Sequence, residues 1–143
     1  MVEELIEKWS GEIYTVNIGA TASEGGTRRK VIKVGGEKTL SFLFKEGDIP
    51  NKPVIAYEIW DTKPQEFSHE LAKFYNDVWH DPLEWADKCV REYCAELICL
   101  RLIGSHPDLN NIPADKEAKL VSDLLKKFDV PLIIVGCGND DKD

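Results

Sequence analysis

The chain reads as an α/β protein preceded by a small antiparallel β extension, and three observations predict this. From Val54 onward, apolar strand-like runs at 54–60, 96–103 and 131–135 alternate with stretches of helical spacing. The connections between them are short, which makes β-α-β units with parallel strands and right-handed crossovers. Before Pro50 the grammar differs: short alternating segments flank the pairs Gly25-Gly26 and Gly35-Gly36, the signature of hairpins.

The elements follow in order. Met1 to Trp9 is acidic with helical spacing, so a helix is expected there and a secretory signal is not. Ile13 to Ile18 alternates as a strand, residues 24–27 supply a turn, and Lys30 to Val34 returns as a second strand. Thr39 to Phe44 is expected as a third. The basic run Arg28-Arg29-Lys30 reads as a solvated hairpin strand rather than a phosphate site. Residues 54–60 form a strand ending on Asp61, and a long amphipathic stretch follows, broken at His80-Asp81-Pro82. Its second part, Leu83 to Tyr93, carries Leu83, Ala86, Cys89, Val90 and Tyr93 at helical spacing. Asp81 is placed to cap this helix, with Pro82 at its first position. The strand at 96–103 ends at Gly104-Ser105. The helix at 115–128 has Ala118, Val121, Leu124, Leu125 and Phe128 on its apolar face, and the strand at 131–135 leads into Gly136-Cys137-Gly138.

Composition narrows the function classes. A chain of 143 residues can bury a real core, and 43% hydrophobic with 31% charged residues is a globular balance. The net charge of −8 argues against nucleic acid, whose phosphates need clustered Lys and Arg. No apolar run approaches the ~20 residues that cross a bilayer. The expected setting is the cytoplasm. The four cysteines, Cys89, Cys94, Cys99 and Cys137, form no CxxC and have no histidine at zinc spacing. They read as buried, reduced thiols, with Cys89 and Cys94 on different faces of one helix.

Several motifs are weaker than they look. Gly136-Cys137-Gly138 lacks the third glycine of a dinucleotide fingerprint, and Asn139-Asp140-Asp141 would repel a pyrophosphate. Ser105, His106 and Asp108 are too close in sequence to align as a triad, so they read as a turn and helix-capping loop. Asp61, at a strand's carboxyl end, stands where barrel enzymes place acid/base groups, as does Glu58 within that strand. A hydrogen bond that fixes the loop is the simpler role for Asp61. Trp60, Trp79 and Trp85 read as packing before ligand stacking, with Trp85 half buried.

Four segments in order carry a resemblance: "IGATASEGGTRRKVIKVGGEKTLSF", "NKPVIAYEIWD", "DPLEWADKCVREYCAELICLRLIG" and "VPLIIVGCGNDDKD". Together they resemble the small subunit of the corrinoid iron–sulfur protein, also called the delta subunit of the acetyl-CoA decarbonylase/synthase (CO dehydrogenase/acetyl-CoA synthase) complex. The resemblance implies a partial TIM (β/α)8 barrel. Residues 1–49 would be the helix and β-hairpin extension, and residues 50–143 the first three strands of eight, ending before the third helix. It also implies a non-catalytic subunit in methyl transfer of the reductive acetyl-CoA pathway, a carbon-fixation route of anaerobes. There a cobalt corrinoid (cobalamin) takes a methyl group from a methyltetrahydropterin and delivers it to acetyl-CoA synthase. The partner implied is the large subunit, which holds the iron–sulfur cluster and shares the corrinoid, with transient contacts to the methyltransferase and acetyl-CoA synthase. By position, the corrinoid-facing residues would be Asp61, Thr62, Gly104, Ser105, Cys137, Gly138 and Asn139. No metal ligand, membrane or nucleic acid is implied for this chain.

Two departures from the family stand out. Where the family usually reads Tyr-Gly-Ala-Asp, this chain has Tyr93-Cys94-Ala95-Glu96, and where it tends toward Asp-Pro-Glu-Gly the chain has His106-Pro107-Asp108-Leu109. Glycine suits the left-handed residue that ends a helix, so Cys94 costs about 1 kcal/mol there. The alternative readings are a pterin-dependent methyltransferase barrel and a structural fragment that self-associates through its open sheet edge.

Overall fold

The computed structural model describes residues 5–143 apart from Ser41 and Phe44. It has two sheets. In the first, β1 (Val16–Ile18) pairs antiparallel with β2 (Ile32–Val34). In the second, β3 (Tyr57–Trp60), β4 (Ile98–Arg101) and β5 (Leu132–Val135) pair parallel in that order. Helices α1 (His69–Tyr75) and α2 (Pro82–Arg91) connect β3 to β4, and α3 (Ala114–Lys127) connects β4 to β5. Among the described residues the sheet does not close into a barrel.

Period-two side-chain alternation gives the parallel sheet two different faces. The cross-strand row Ile59, Leu100 and Ile134 and the row Tyr57, Ile98 and Leu132 point one way. Ile59, Ile98 and Leu100 are almost wholly buried against α2 and α3, with Trp85, Ala86, Cys89, Leu124 and Phe128 completing the core. Each large side chain so buried contributes about 1.5–3 kcal/mol. Glu58, Cys99 and Arg101 point the other way. The exposed Glu58 and Arg101 side chains there lie 3.8 Å apart, and Trp60 Nε1 donates to Glu58 at 2.7 Å.

The helix signals are realised at their chemistry. Asp81 accepts from the Leu83 and Glu84 amides at 2.8 and 3.4 Å, with Pro82 opening α2 as expected. The helix ends before Tyr93, Cys94 takes the left-handed φ of 54°, and the Ala95 amide closes back onto the Cys89 carbonyl at 2.9 Å. The strain expected at this non-glycine residue is therefore present.

Other expectations are corrected. Leu5 to Trp9 is not helical, and Leu5 is 97% exposed. An apolar stripe folds only where it finds a surface to cover; Met1 to Glu4 lie outside the described residues. Thr39, Leu40, Phe42 and Leu43 are in turns and not a strand, held by Leu43 N–H to the Leu40 carbonyl at 2.8 Å and Thr39 Oγ1 to the Leu43 carbonyl at 3.2 Å. Local bonds replace the ladder there, and Ser41 and Phe44 of this segment are outside the described residues. The amphipathic stretch before Pro82 holds only the two turns of α1, capped by Ser68.

Trp85 is 1% exposed rather than half buried. It sits under Phe67, whose ring meets Trp60, Trp79 and Trp85 edge-on at 5.9–6.2 Å, so the tryptophans pack together as rings do in a core. Of the thiols only Cys89 is fully buried, which pushes it up to about 11. Cys94 is exposed beyond the helix, because the left-handed turn swings it out of the apolar stripe.

The largest correction concerns the basic run. Arg28 is 8% exposed, not solvated. Its guanidinium donates to the carbonyls of Leu125 and Phe128 at 2.6 Å each and of Val130 at 3.1 Å. It thereby satisfies acceptors left over at the end of α3, where the helix dipole also favours a cation. Arg29 faces Asp129 at 3.9 Å, Lys30 pairs with Glu96, and Gly19 packs on Pro131. The antiparallel extension thus covers the amino ends of β4 and β5.

Candidate functional site

With the amino ends of β4 and β5 covered, attention falls on the carboxyl end of the sheet, where α/β proteins gather ligands. Three connections begin there. Asp61 follows β3 directly. It accepts the Gly104 amide with both carboxylate oxygens, Oδ1 at 3.0 Å and Oδ2 at 2.9 Å. Its role is thus the loop-fixing hydrogen bond expected of it. Gly104 belongs to the short 3₁₀ turn Ile103–Ser105 after β4, and both Gly104 and Ser105 are buried. A β-carbon on Gly104 would stand 2.6 Å from Ile112 Cδ1 and 2.7 Å from Asp61 Oδ2, so the approach of these loops requires glycine.

Ser105 Oγ donates to Glu117 Oε1 at 3.4 Å. Glu117, in the first turn of α3, is 5% exposed. Burial, then the Asp61 carboxylate, raises its pKa to about 7, against a smaller opposing effect of Ser105. Sequence reasoning missed Glu117. The signal was there: the apolar stripe Leu124, Val121 and Leu120 extends one turn back onto Glu117, so this carboxylate occupies a core-facing position.

The turn after β5 is separate. The Cys137 and Gly138 amides donate to the two oxygens of the Asp143 side chain at 2.8 and 2.7 Å, which holds that carboxyl below the usual carboxylate range. Asn139 Oδ1 accepts the Asp141 amide at 3.2 Å, and its carbonyl accepts those of Lys142 and Asp143. The Gly-Cys-Gly turn therefore does present two amides to an anion, and the chain's own carboxylate occupies them. His106 to Leu109 is a turn as expected, with the Asp108 amide donating to His106 Nδ1 at 3.2 Å, but it does not cap a helix: α3 opens at Pro113 with no side-chain cap.

Six of the seven candidate residues form two groups. Asp61, Gly104 and Ser105 interlock with Glu117; Cys137, Gly138 and Asn139 close around Asp143. A hollow of about 560 Å³ lies between them, lined by Leu102, Ser105, Glu117, Gly136, Lys142 and Asp143. Thr62 stands apart in a smaller hollow of about 210 Å³ with Trp60, Lys63, Glu66, Ile103 and Leu109. Neither encloses a macrocycle, and among the described residues no three His, Cys, Asp or Glu side chains are grouped to hold a metal ion. No helix among the described residues is long and apolar enough to cross a membrane.

Comparison with known proteins joins this geometry to a family. The chain is 40% identical over 99% of its length to the acetyl-CoA decarbonylase/synthase complex subunit delta of Methanocaldococcus jannaschii, spanning 34% of that protein. It is 37% identical over 96% of its length to the subunit delta of Archaeoglobus fulgidus, spanning 30% of it. Subunit delta 1 of Methanosarcina thermophila is likewise 37% identical over 96% of the chain, which spans 31% of that relative. The chain thus covers roughly a third of each. The family model for the CO dehydrogenase/acetyl-CoA synthase delta subunit matches residues 15–142, taking in both sheets and all three strand-end connections, and the chain belongs to that family.

Proposed function

We propose that this chain forms the first part of a TIM-type barrel that covers the reactive side of a corrinoid held by a larger partner subunit, within methyl transfer to acetyl-CoA synthase. Residues 1–49 act as the extension that closes the barrel's amino end, and residues 50–143 contribute the first strand–helix units. The single observation that carries the reading is membership of the delta-subunit family with the parallel order β3-β4-β5. A parallel sheet is ordinarily covered on both faces. Here α2 and α3 cover one, and the Glu58–Arg101 face is the one a barrel turns inward.

When bound, the corrinoid supplies the nucleophilic metal centre that accepts and donates the methyl group. This chain's residues do other work. Asp61, Gly104 and Ser105 fix the mouth loop by hydrogen bonds made within the protein, so its shape does not depend on solvent. Thr62, with the apolar neighbours Ile103 and Leu109, offers a surface from which water can be displaced. Cys137, Gly138 and Asn139 hold the neighbouring turn compact.

The test is to mix the chain with the purified corrinoid-carrying large subunit and follow co-elution and the rate of air oxidation of the reduced corrinoid. Co-elution with slowed oxidation is expected. Thr62→Glu and Asn139→Arg at the mouth should restore fast oxidation. Failure to co-elute, or oxidation unchanged in the complex, would overturn the reading. If the chain instead bound methyltetrahydropterin without the large subunit, the methyltransferase alternative would replace it.

A further inference from the structure

The chain has four tryptophans and four tyrosines, and three of each lie in one unbroken string of rings. Trp60 and Trp79 each meet Phe67, at 6.2 and 5.9 Å between centroids, and Phe67 meets Trp85 at 6.0 Å. From Trp85 the string continues to Tyr75 at 5.6 Å, then Tyr93 at 5.8 Å and Tyr57 at 6.2 Å. The remaining two rings, Trp9 and Tyr14, are exposed on the amino-terminal segment. One end of the string, Trp60, closes β3 and lines the hollow of about 210 Å³ at the carboxyl end of the sheet. The other end, Tyr57, opens β3, beside Tyr93 just past α2, and both phenols are half-buried. Trp85, in the middle, is 1% exposed, and its Nε1 has no hydrogen-bond partner among the described residues. A buried indole N–H ordinarily finds an acceptor, and packing alone gains nothing from a donor left without one.

We propose that these six oxidisable rings, bridged by Phe67, form a relay that passes a one-electron vacancy from Trp60 or Trp79 to Tyr93 and Tyr57. Electron transfer weakens steeply with distance, and every step of the string is a contact between neighbouring rings. The oxidant is a one-electron acceptor of high potential that reaches the carboxyl-end hollow. It takes one electron from Trp60 or Trp79, and Trp85 refills that ring across Phe67, which is itself too hard to oxidise and serves as the bridge. Trp85 has no acceptor for its N–H proton, so its oxidised ring stays a cation among apolar side chains, a costly place for charge. The vacancy therefore moves on. Tyr75 is poorly served by water, and burial pushes its phenol up to about 12. At Tyr93 or Tyr57 the phenol proton leaves to water and the vacancy rests as a neutral tyrosyl radical. Each passage delivers one electron to the oxidant and one proton to solvent, and a thiol in solution restores the tyrosine by giving one of each. This inference goes beyond the corrinoid reading and does not rest on it: the relay drains an oxidant at the hollow whatever the hollow faces.

Flash-quench oxidation of the full chain tests it. The histidines are His69, His80 and His106, and His80 is exposed next to Trp79. With His69→Gln and His106→Gln, a bis(bipyridyl)imidazole ruthenium complex coordinates His80 alone. Trp9→Phe and Tyr14→Phe in the same chain leave no tryptophan or tyrosine outside the string. A flash with hexaammineruthenium(III) as quencher then makes the bound ruthenium(III) the oxidant. Tyrosyl absorption is expected to rise as the ruthenium(III) and tryptophanyl signals decay. In Trp85→Phe the tyrosyl signal should be lost while a tryptophanyl radical persists. A second variant, Tyr57→Phe with Tyr93→Phe, keeps every buried tryptophan and should also lose the tyrosyl signal, so the test does not hang on how well Trp85→Phe folds. Absence of a tyrosyl radical with the string intact, or an undiminished tyrosyl yield in either variant, would overturn the relay.

Discussion

The guanidinium of Arg28 donates to the main-chain carbonyl of Phe128 at 2.6 Å, joining positions one hundred residues apart. With Leu125 and Val130 it provides donors for three carbonyls at the end of α3 and the entry to β5. Removing one partner of a buried charge-assisted bond costs far more than the bond's net worth. Arg28→Met should therefore destabilise by about 3 kcal/mol, and a chain of this size then loses roughly 10 °C of melting temperature. Arg28→Lys keeps the charge but loses the planar fork, and should recover less than half of it. Thermal unfolding followed by circular dichroism checks both.

Cys94 offers the opposite sign. Its φ of 54° is one of two positive values at non-glycine residues among the described residues, and its side chain is exposed. Cys94→Gly should stabilise by about 1 kcal/mol, and Cys94→Val should destabilise, since a β-branched residue is still less suited to this conformation. Urea titration should show the midpoint moving up for glycine and down for valine.

Gly104→Ala should cost about 1–3 kcal/mol, because the new β-carbon overlaps Ile112 and the Asp61 carboxylate that the Gly104 amide holds in place. Its specific sign is chemical. With Asp61 displaced, the carboxyl of Glu117 should titrate nearer the ordinary glutamate range, which carbon-detected NMR of Glu117 would report.

Glu117 also shapes stability against pH. Its pKa is raised from 4.5 to about 7, so the folded chain binds a proton that the unfolded chain has released. Its contribution is fully present below pH 4.5 and is lost as pH rises through about 7, at up to about 1.4 kcal/mol per pH unit. The depressed carboxyls of Asp77 and Asp143, each held by hydrogen bonds, act with the opposite sign at lower pH. The difference between the native chain and Glu117→Gln in denaturant midpoints from pH 4.5 to 8 isolates the Glu117 effect.

Trp85 has no partner for its Nε1 although the ring is 1% exposed. Trp85→Phe removes that orphan donor together with part of the ring, so the two effects offset and the cost should stay near 1 kcal/mol. Trp85→Ala should cost about 4 kcal/mol. Calorimetry on the two variants checks the contrast.

Where the information was local, the amino acids alone were enough. Asp81-Pro82 announced the start of α2, Cys94 its strained end, and the three apolar runs the parallel strands, because caps, turns and side-chain alternation depend on neighbours a few residues away. Asp61 was legible for the same reason, as a carboxylate at a strand's end. What the chain order could not disclose are the meetings of distant groups: Arg28 with the end of α3, and Glu117 with Asp61 and Ser105. Arg28 reads as a surface charge, and Glu117, although it continues the apolar stripe of α3, carries no mark of the groups it meets. Only packing removes water from both, and the loss of water is what makes one a structural clamp and the other a weak acid.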